Sequence, residues 1–354
     1  MVMQKRFYRG AMSAVTFISL LTACGGAEGG SGGAVTVPSG SSPTPTPSAT
    51  PTPTPTPSSA TVPTPAPTPT NWGEGVLALY DEPADVTTCT PGKLKASVKA
   101  DFLARLNAIR SLHGLSPVVY ANDDEEEVVQ AALIMASNGQ LSHTPPTNWR
   151  CYNAIGAAGA ASSNLVGGTV SPYLDWSSED DFLGMWLTEL AGSNIGHRRW
   201  ILDPFLGRTA YSRVSQEGAD GIRTDAAAMK VFTFSTAEPI PANVPDFVAY
   251  PYGNYPARYV DKLGYLSFSA IASKTNRGGN GAVNFSNATV TMTTQIGTNV
   301  QITNKTADNI NYGVPNSLQW RATGLISGAT YTVKISGIAG APQSEYTYSF
   351  RIVD

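Results

Sequence analysis

Residues 193–204 read SNIGHRRWILDP: a glycine, a histidine, two arginines and then an apolar triplet before Asp-Pro. The order sets a titratable ring directly ahead of a run built for burial. His197 is therefore a candidate for chemistry and an anchor for packing at once. Trp200, Ile201 and Leu202 are expected to enter a buried strand behind the ring, which would point one nitrogen into a cleft. Arg198 and Arg199 are expected to pair with local acids.

Upstream, DFLGMWLTEL (residues 181–190) places Phe182, Met185, Trp186 and Leu190 on one helical face. Asp175, Glu179, Asp180 and Asp181 precede that helix, where negative charge suits its N-terminal dipole. Further back, SVKADFLARLNAIRSLHG (residues 97–114) repeats Val98, Phe102, Leu106 and Ile109 at helical spacing and stops at Gly114. His113 lies in the last turn of that helix, where a histidine favours the dipole. After the strand-like LSPVVY, Asn122 or Asp123 is expected to cap a second helix whose first turn is acidic (Asp124 and Glu125 to 127). Residues 128–136 are apolar nearly all round, which predicts a buried helix ended by Asn138-Gly139. His143 follows in QLSHTPP, just past that end. LGRTAYSRV and AMKVFTFST have strand character, so helices and strands interleave without repeated βαβ units. The class is α+β.

From about Glu238 the text changes. EPIPANVPDFVAYPYGNYP is Pro-rich, and short alternating segments follow at turn-punctuated intervals: LGYLSFSA, NATVTMT, NVQITN, SLQWRA, TYTVKISG and EYTYSFRIV. That spacing predicts an all-β sandwich of immunoglobulin or fibronectin type. Leu325, Gly328, Tyr331 and Val333 resemble the tyrosine corner of such folds.

The N-terminus reads MVMQKRFYRGAMSAVTFISLLTAC. Lys5, Arg6 and Arg9 precede an apolar run, residues 11–21, too short for a membrane span, so the segment is expected to be an export signal. Leu21-Thr22-Ala23-Cys24 resembles the bacterial lipoprotein box, which implies cleavage after residue 23 and a lipidated Cys24. Gly-rich and then Pro/Thr/Ser-rich sequence follows to about residue 72; with no apolar face it is expected to be an extended stalk. The expected organisation is a signal peptide (1–23), a lipid-anchored stalk (24–72), an α+β domain (84–238) and a β-sandwich (239–354). Cys89 and Cys151 are the remaining cysteines, and in an oxidising compartment a bridge between them would contribute about 4 kcal/mol. A net charge of −3 in 354 residues leaves no basic excess for nucleic acid.

Only three histidines occur, and HExxH, GxSxG and Gly-rich phosphate-loop patterns are absent. LNAIRSLHGLSPV, LSHTPP, SSNLVGG, MWLTE and GHRRWIL stand in an order and spacing that resemble the CAP superfamily, the cysteine-rich secretory, antigen 5 and pathogenesis-related type 1 proteins, in their bacterial extracellular form. The resemblance covers residues 95–237 and implies an αβα sandwich with a cleft lined by two histidines and two acidic groups. Carried over, the cleft set is His143, Asn164, Glu189 and His197, with Ser163 where the family has glutamate. A serine hydroxyl is a poor zinc ligand, so a site of His143, His197 and water would hold Zn²⁺ only weakly. Asp175, Glu179, Asp180 or Asp181 is the alternative source of the missing carboxylate. Three roles for the cleft stay open: a binding site for an extracellular lipid, glycan or protein; a metal-dependent, protease-like hydrolase with Glu189 as base; and Ser163, a histidine and Glu189 as nucleophile, base and orienter. For Ser163 the plainer expectation is a hydrogen bond that helps hold the cleft. The membrane, through Cys24, is the other expected partner.

Overall fold

The computed structural model describes residues 62–64, 69, 71–189, 192, 194–232 and 239–354. The export signal, Cys24 and nearly all of the Pro/Thr-rich segment lie outside the described residues, as do Leu190 and residues 233–238.

The first described helix is α1 (Trp72–Leu79), whose N-cap Asn71 accepts from the Glu74 N–H. The hairpin β1 (Tyr80–Glu82) and β2 (Lys93–Leu94) follows, and Leu79 of α1 with Tyr80 and Leu94 of the hairpin already belong to the main core. Folded sequence thus starts upstream of the expected residue 84. Helix α2 (Ala96–Leu112) buries Phe102, Leu106 and Ile109, the face its periodicity marks. The short strand β3 (Val119–Tyr120) leads through a 3₁₀ turn at Asn122–Asp124 into α3 (Glu125–Asn138). No side chain caps α3, contrary to the expectation for Asn122 or Asp123; three glutamates in its first turn meet the dipole instead. Gly139 ends it in the left-handed conformation.

Helix α4 (Ala154–Ala161) lies on α3 at a separation only glycine allows, since a Cβ on Gly159 would sit 2.0 Å from the Glu127 carbonyl. Strand β4 (Ser163–Ser171), helices α5 (Glu179–Thr188) and α6 (Gly196–Ile201), the short β5 (Arg208–Thr209) and the hairpin β6 (Tyr211–Glu217) and β7 (Arg223–Lys230) complete the first module. Its antiparallel sheet runs β4-β7-β6. Central β7 is buried along almost its whole length because helices cover both faces, so its sequence shows no alternation. Phe102 stacks on Tyr211 at 3.8 Å, and the Trp186 indole donates to the Leu165 carbonyl. Phe182 and Trp186 are buried as expected, but Met185 is exposed and Leu183 and Leu187 fill the face instead. This is an αβα sandwich. The disulfide joins Cys89 to Cys151.

The second module holds two four-stranded sheets. Strands β8 (Phe247–Tyr250) and β9 (Gly253–Pro256) arise from the Pro-rich segment, where proline masked them; β10 (Tyr265–Ala270), β11 (Thr289–Thr294), β12 (Ile302–Asp308), β13 (Ser317–Ala322), β14 (Thr330–Ser336) and β15 (Glu345–Val353) follow. The orders are β12-β13-β10-β8 and β11-β14-β15-β9, with only β15 and β9 parallel. Phe268, Leu318 and Trp320 face Val333, Ile335, Tyr346 and Tyr348 across a common core. The Tyr331 hydroxyl accepts from the Ile326 N–H at 2.9 Å and donates to the Gly324 carbonyl, as a tyrosine corner does.

The modules are not beads on a string. Val248, Tyr250, Tyr255 and Tyr259 belong to the core of the first module. His113, fully buried at the end of α2, bonds the Ala249 carbonyl through Nδ1 and the Tyr255 hydroxyl through Nε2. Burial pushes its pKa down to about 3, so the ring is neutral and the dipole role expected from sequence does not operate. Its role is structural: it ties α2 to the strands that begin the sandwich.

Candidate functional site

Residues 200–202 do not enter a strand. The whole stretch from Gly196 to Ile201 is helix α6, wedged between the two modules, and each of its side chains takes a different direction. Arg110, buried within α2, fixes the far end of this wedge by donating to the carbonyls of Ile201, Asp203 and Leu206.

The near end is fixed by Glu189. This residue caps α5 in the left-handed conformation (φ 52°), a geometry that costs a non-glycine residue about 1 kcal/mol or more. The turn swings its carboxylate under the start of α6. Oε1 accepts the backbone N–H of His197 and of Arg198, and Oε2 accepts Nδ1–H of the His197 ring at 2.9 Å. Three donors hold one carboxylate, which is 9% exposed. Its chemical effect is to set the tautomer: with Nδ1 protonated, Nε2 of His197 carries a lone pair.

His143 is set the same way. Its Nδ1 lies 2.7 Å from the Ala160 carbonyl at the end of α4. A carbonyl only accepts, so Nδ1 is the donor, and in the neutral ring Nε2 is again bare. Asn164, buried on β4, donates through Nδ2 to the His197 carbonyl. His143, Asn164 and His197 line one cavity of about 580 Å³. Two rings 54 positions apart in sequence thus meet in a single hollow.

Glu189 stands behind His197 and does not line the hollow. Neither does Ser163, buried at the first position of β4; its Oγ has no hydrogen-bond partner among the described residues, so the cleft-holding bond expected of it is not formed among them, nor is any bond to an imidazole. The three acids in the first turn of α5 are turned elsewhere. Asp181 closes a capping box with Ser178, Glu179 meets Arg213, and Asp180 binds Arg105, Arg258 and the Tyr259 hydroxyl. Among the described residues no group of three or more His, Cys, Asp or Glu side chains is placed to hold a metal. Two imidazoles alone fall short of the four ligands of a closed zinc site and the three of an open one. The residues present do not fit zinc.

The opposite wall is one that sequence reasoning missed. Thr306 and Asp308 on β12 pair in register with Gln319 and Ser317 on β13, so all four stand on the outer face of the sandwich. That face lies against α6, and all four line the cavity together with Tyr312. In SLQWRA, Ser317 and Gln319 alternate with the buried Leu318 and Trp320. Alternation could not say that a second module covers them. Arg199 finds its acid here: Asp308, 109 positions downstream, at 2.8 Å. Arg198 finds none. It is 1% exposed, donates to the carbonyls of Leu187 and Thr188 on α5 and Tyr265 on β10, and stacks on the Tyr250 ring at 3.8 Å. Burial lowers its pKa from the usual guanidinium value. Trp200 packs between Phe232 and Tyr312.

Helix α6 therefore sends His197 into the cavity, Arg198 and Arg199 into the second module, and Trp200 into the wall between them. No curated protein matches the chain in sequence. The model of the CAP family, the cysteine-rich secretory protein family, matches residues 103–224, a span that contains His143, Asn164, Glu189 and His197. With its αβα fold and its paired histidines, this part of the chain is a CAP domain.

Proposed function

We propose that the protein is an extracellular binding module that takes its ligand in the histidine cleft, with the sandwich as the second wall, and that it is held at the bacterial cell envelope by a lipid on Cys24. At family level CAP domains are extracellular binding or interaction modules. The observation that carries the reading is the pair of imidazoles, each fixed through Nδ1 and each lining the same cavity. The anchor is supported by the lipobox-like LTAC and by the Pro/Thr-rich spacer behind it; loss of fatty-acid labelling in Cys24→Ser is its check. The ligand is an extracellular lipid, glycan or protein.

The rival reading is a metal-dependent hydrolase. It needs Glu189 as a free base, yet that carboxylate already accepts three N–H donors, and the zinc donor set is incomplete. The test is a binding comparison between the native chain and the His143→Gln/His197→Gln double variant, using phosphatidylcholine vesicles, neutral disaccharides and a mixed peptide pool as probes. One probe class is expected to bind saturably and to weaken at least about tenfold in the double variant. Equal binding by both proteins would place the ligand elsewhere, and zinc-dependent cleavage of the peptides would favour the rival.

A further inference from the structure

We infer that the ligand of this cleft is a neutral, polyhydroxylated molecule of about disaccharide size, read jointly by hydrogen-bond acceptors on the CAP wall and by the polar outer face of the sandwich with Tyr312 as its stacking platform. The inference deepens the proposed binding function and rests on it.

Charge is the first argument. Among the described residues, the only formally charged side chains lining the cavity are Arg199 and Asp308, and they neutralise each other at 2.8 Å. No uncompensated charge is left to draw in an anion or a cation.

Hydrogen-bond polarity is the second. Nε2 of His143 and of His197 are acceptors once Nδ1 of each ring is committed as donor. Asn164 gives one of its two amide hydrogens to the His197 carbonyl, which leaves its second N–H and Oδ1 able to donate and to accept. A purely apolar ligand would strip water from these atoms without replacing it, at a cost that works against binding. A ligand rich in hydroxyl donors satisfies them. Across the cavity, the Thr306 and Ser317 hydroxyls both donate and accept, so they suit the same kind of partner.

Shape is the third. Tyr312 is 43% exposed, is braced edge-on against Trp200 at 4.9 Å, and lines the cavity. A braced aromatic ring beside polar groups offers a flat apolar surface for the C–H face of a sugar ring. A volume of about 580 Å³ accommodates two such rings.

The experiment titrates the full chain by calorimetry with cellobiose, maltose and N,N′-diacetylchitobiose; phosphatidylcholine vesicles and a heparin disaccharide are the other arms. At least one neutral disaccharide is expected to bind with Kd of about 1 mM or tighter. Tyr312→Ala and Thr306→Val, both at exposed positions, are each expected to weaken it at least about fivefold. No saturation by any neutral disaccharide up to about 50 mM overturns the inference, as does affinity within about twofold of native in both variants. Vesicle or heparin binding that vanishes in the His143→Gln/His197→Gln protein would overturn the polyhydroxylated ligand while leaving the cleft as the binding site.

Discussion

Arg198→Met is expected to lower the stability of the chain by about 3 kcal/mol and to weaken cleft binding more than any other single change outside the cavity. Methionine keeps much of the buried volume but leaves two buried carbonyls, Leu187 and Thr188, and the partly buried Tyr265 carbonyl without the donor that joins them. An orphaned buried acceptor costs about 1–3 kcal/mol, and the stack on Tyr250 adds to the loss. Relief from desolvating a buried cation offsets part of the sum. Because Tyr265 opens β10 of the sandwich while Leu187 and Thr188 close α5, the same substitution loosens one wall of the cavity from the other. Arg198→Lys is expected to recover little, since an ammonium cannot span three carbonyls in the plane of a guanidinium. Urea denaturation followed by tryptophan fluorescence reads the effect. A change below about 1 kcal/mol would mean that the clamp does not hold the modules together.

Arg213→Met should cost about 3–5 kcal/mol. Arg213 has no exposed side-chain surface, makes a two-pronged contact with Asp225 at 2.8 and 2.7 Å, bonds Glu179 at 3.1 Å, and lies between the rings of Trp176 and Phe182. Burial opposes its charge, but Asp225 and Glu179 together outweigh that penalty and hold it protonated. Methionine would strand Asp225, itself buried, as an unpaired carboxylate. The double change Arg213→Met/Asp225→Leu removes the stranded charge and is expected to regain most of the loss. Thermal unfolding of the two variants separates the cases: a double variant no more stable than the single one would show that the network contributes more than charge balance.

How much of this was legible in the sequence depends on the distance over which each signal acts. The α2 face, the Gly139 stop and most strands from β10 onward follow from local periodicity and turn chemistry and form where expected, whereas β12 (Ile302–Asp308) is displaced from the expected residues 299–304. The site histidines were legible through the resemblance to the family, because His143 and His197 stand in its motifs. What failed was whatever depended on the other module. SLQWRA shows that Gln319 and Ser317 point away from Leu318 and Trp320, but a solvated face and a cavity wall have the same alternation. Arg199 signalled a need for an acid without revealing that Asp308 supplies it. His113 carried the sign of a helix terminus and proved to be a buried bridge, since nothing local announces Ala249 or Tyr255. Residues 200–202 misled for the opposite reason: a short apolar run reads equally as strand or buried helix.

The central claim is that two imidazoles, both locked with the proton on Nδ1, offer bare Nε2 atoms to one shared cavity. Long-range ¹H–¹⁵N correlation NMR on the full chain at about pH 8, above the ordinary imidazole range, reads it directly. With three histidines in the sequence the spectrum is assignable by single substitutions. His143 and His197 are predicted to show the Nδ1–H tautomer, and their Nε2 resonances are predicted to shift together when a cleft ligand binds. An Nε2–H tautomer at either ring, or a response confined to one of them, would contradict the account.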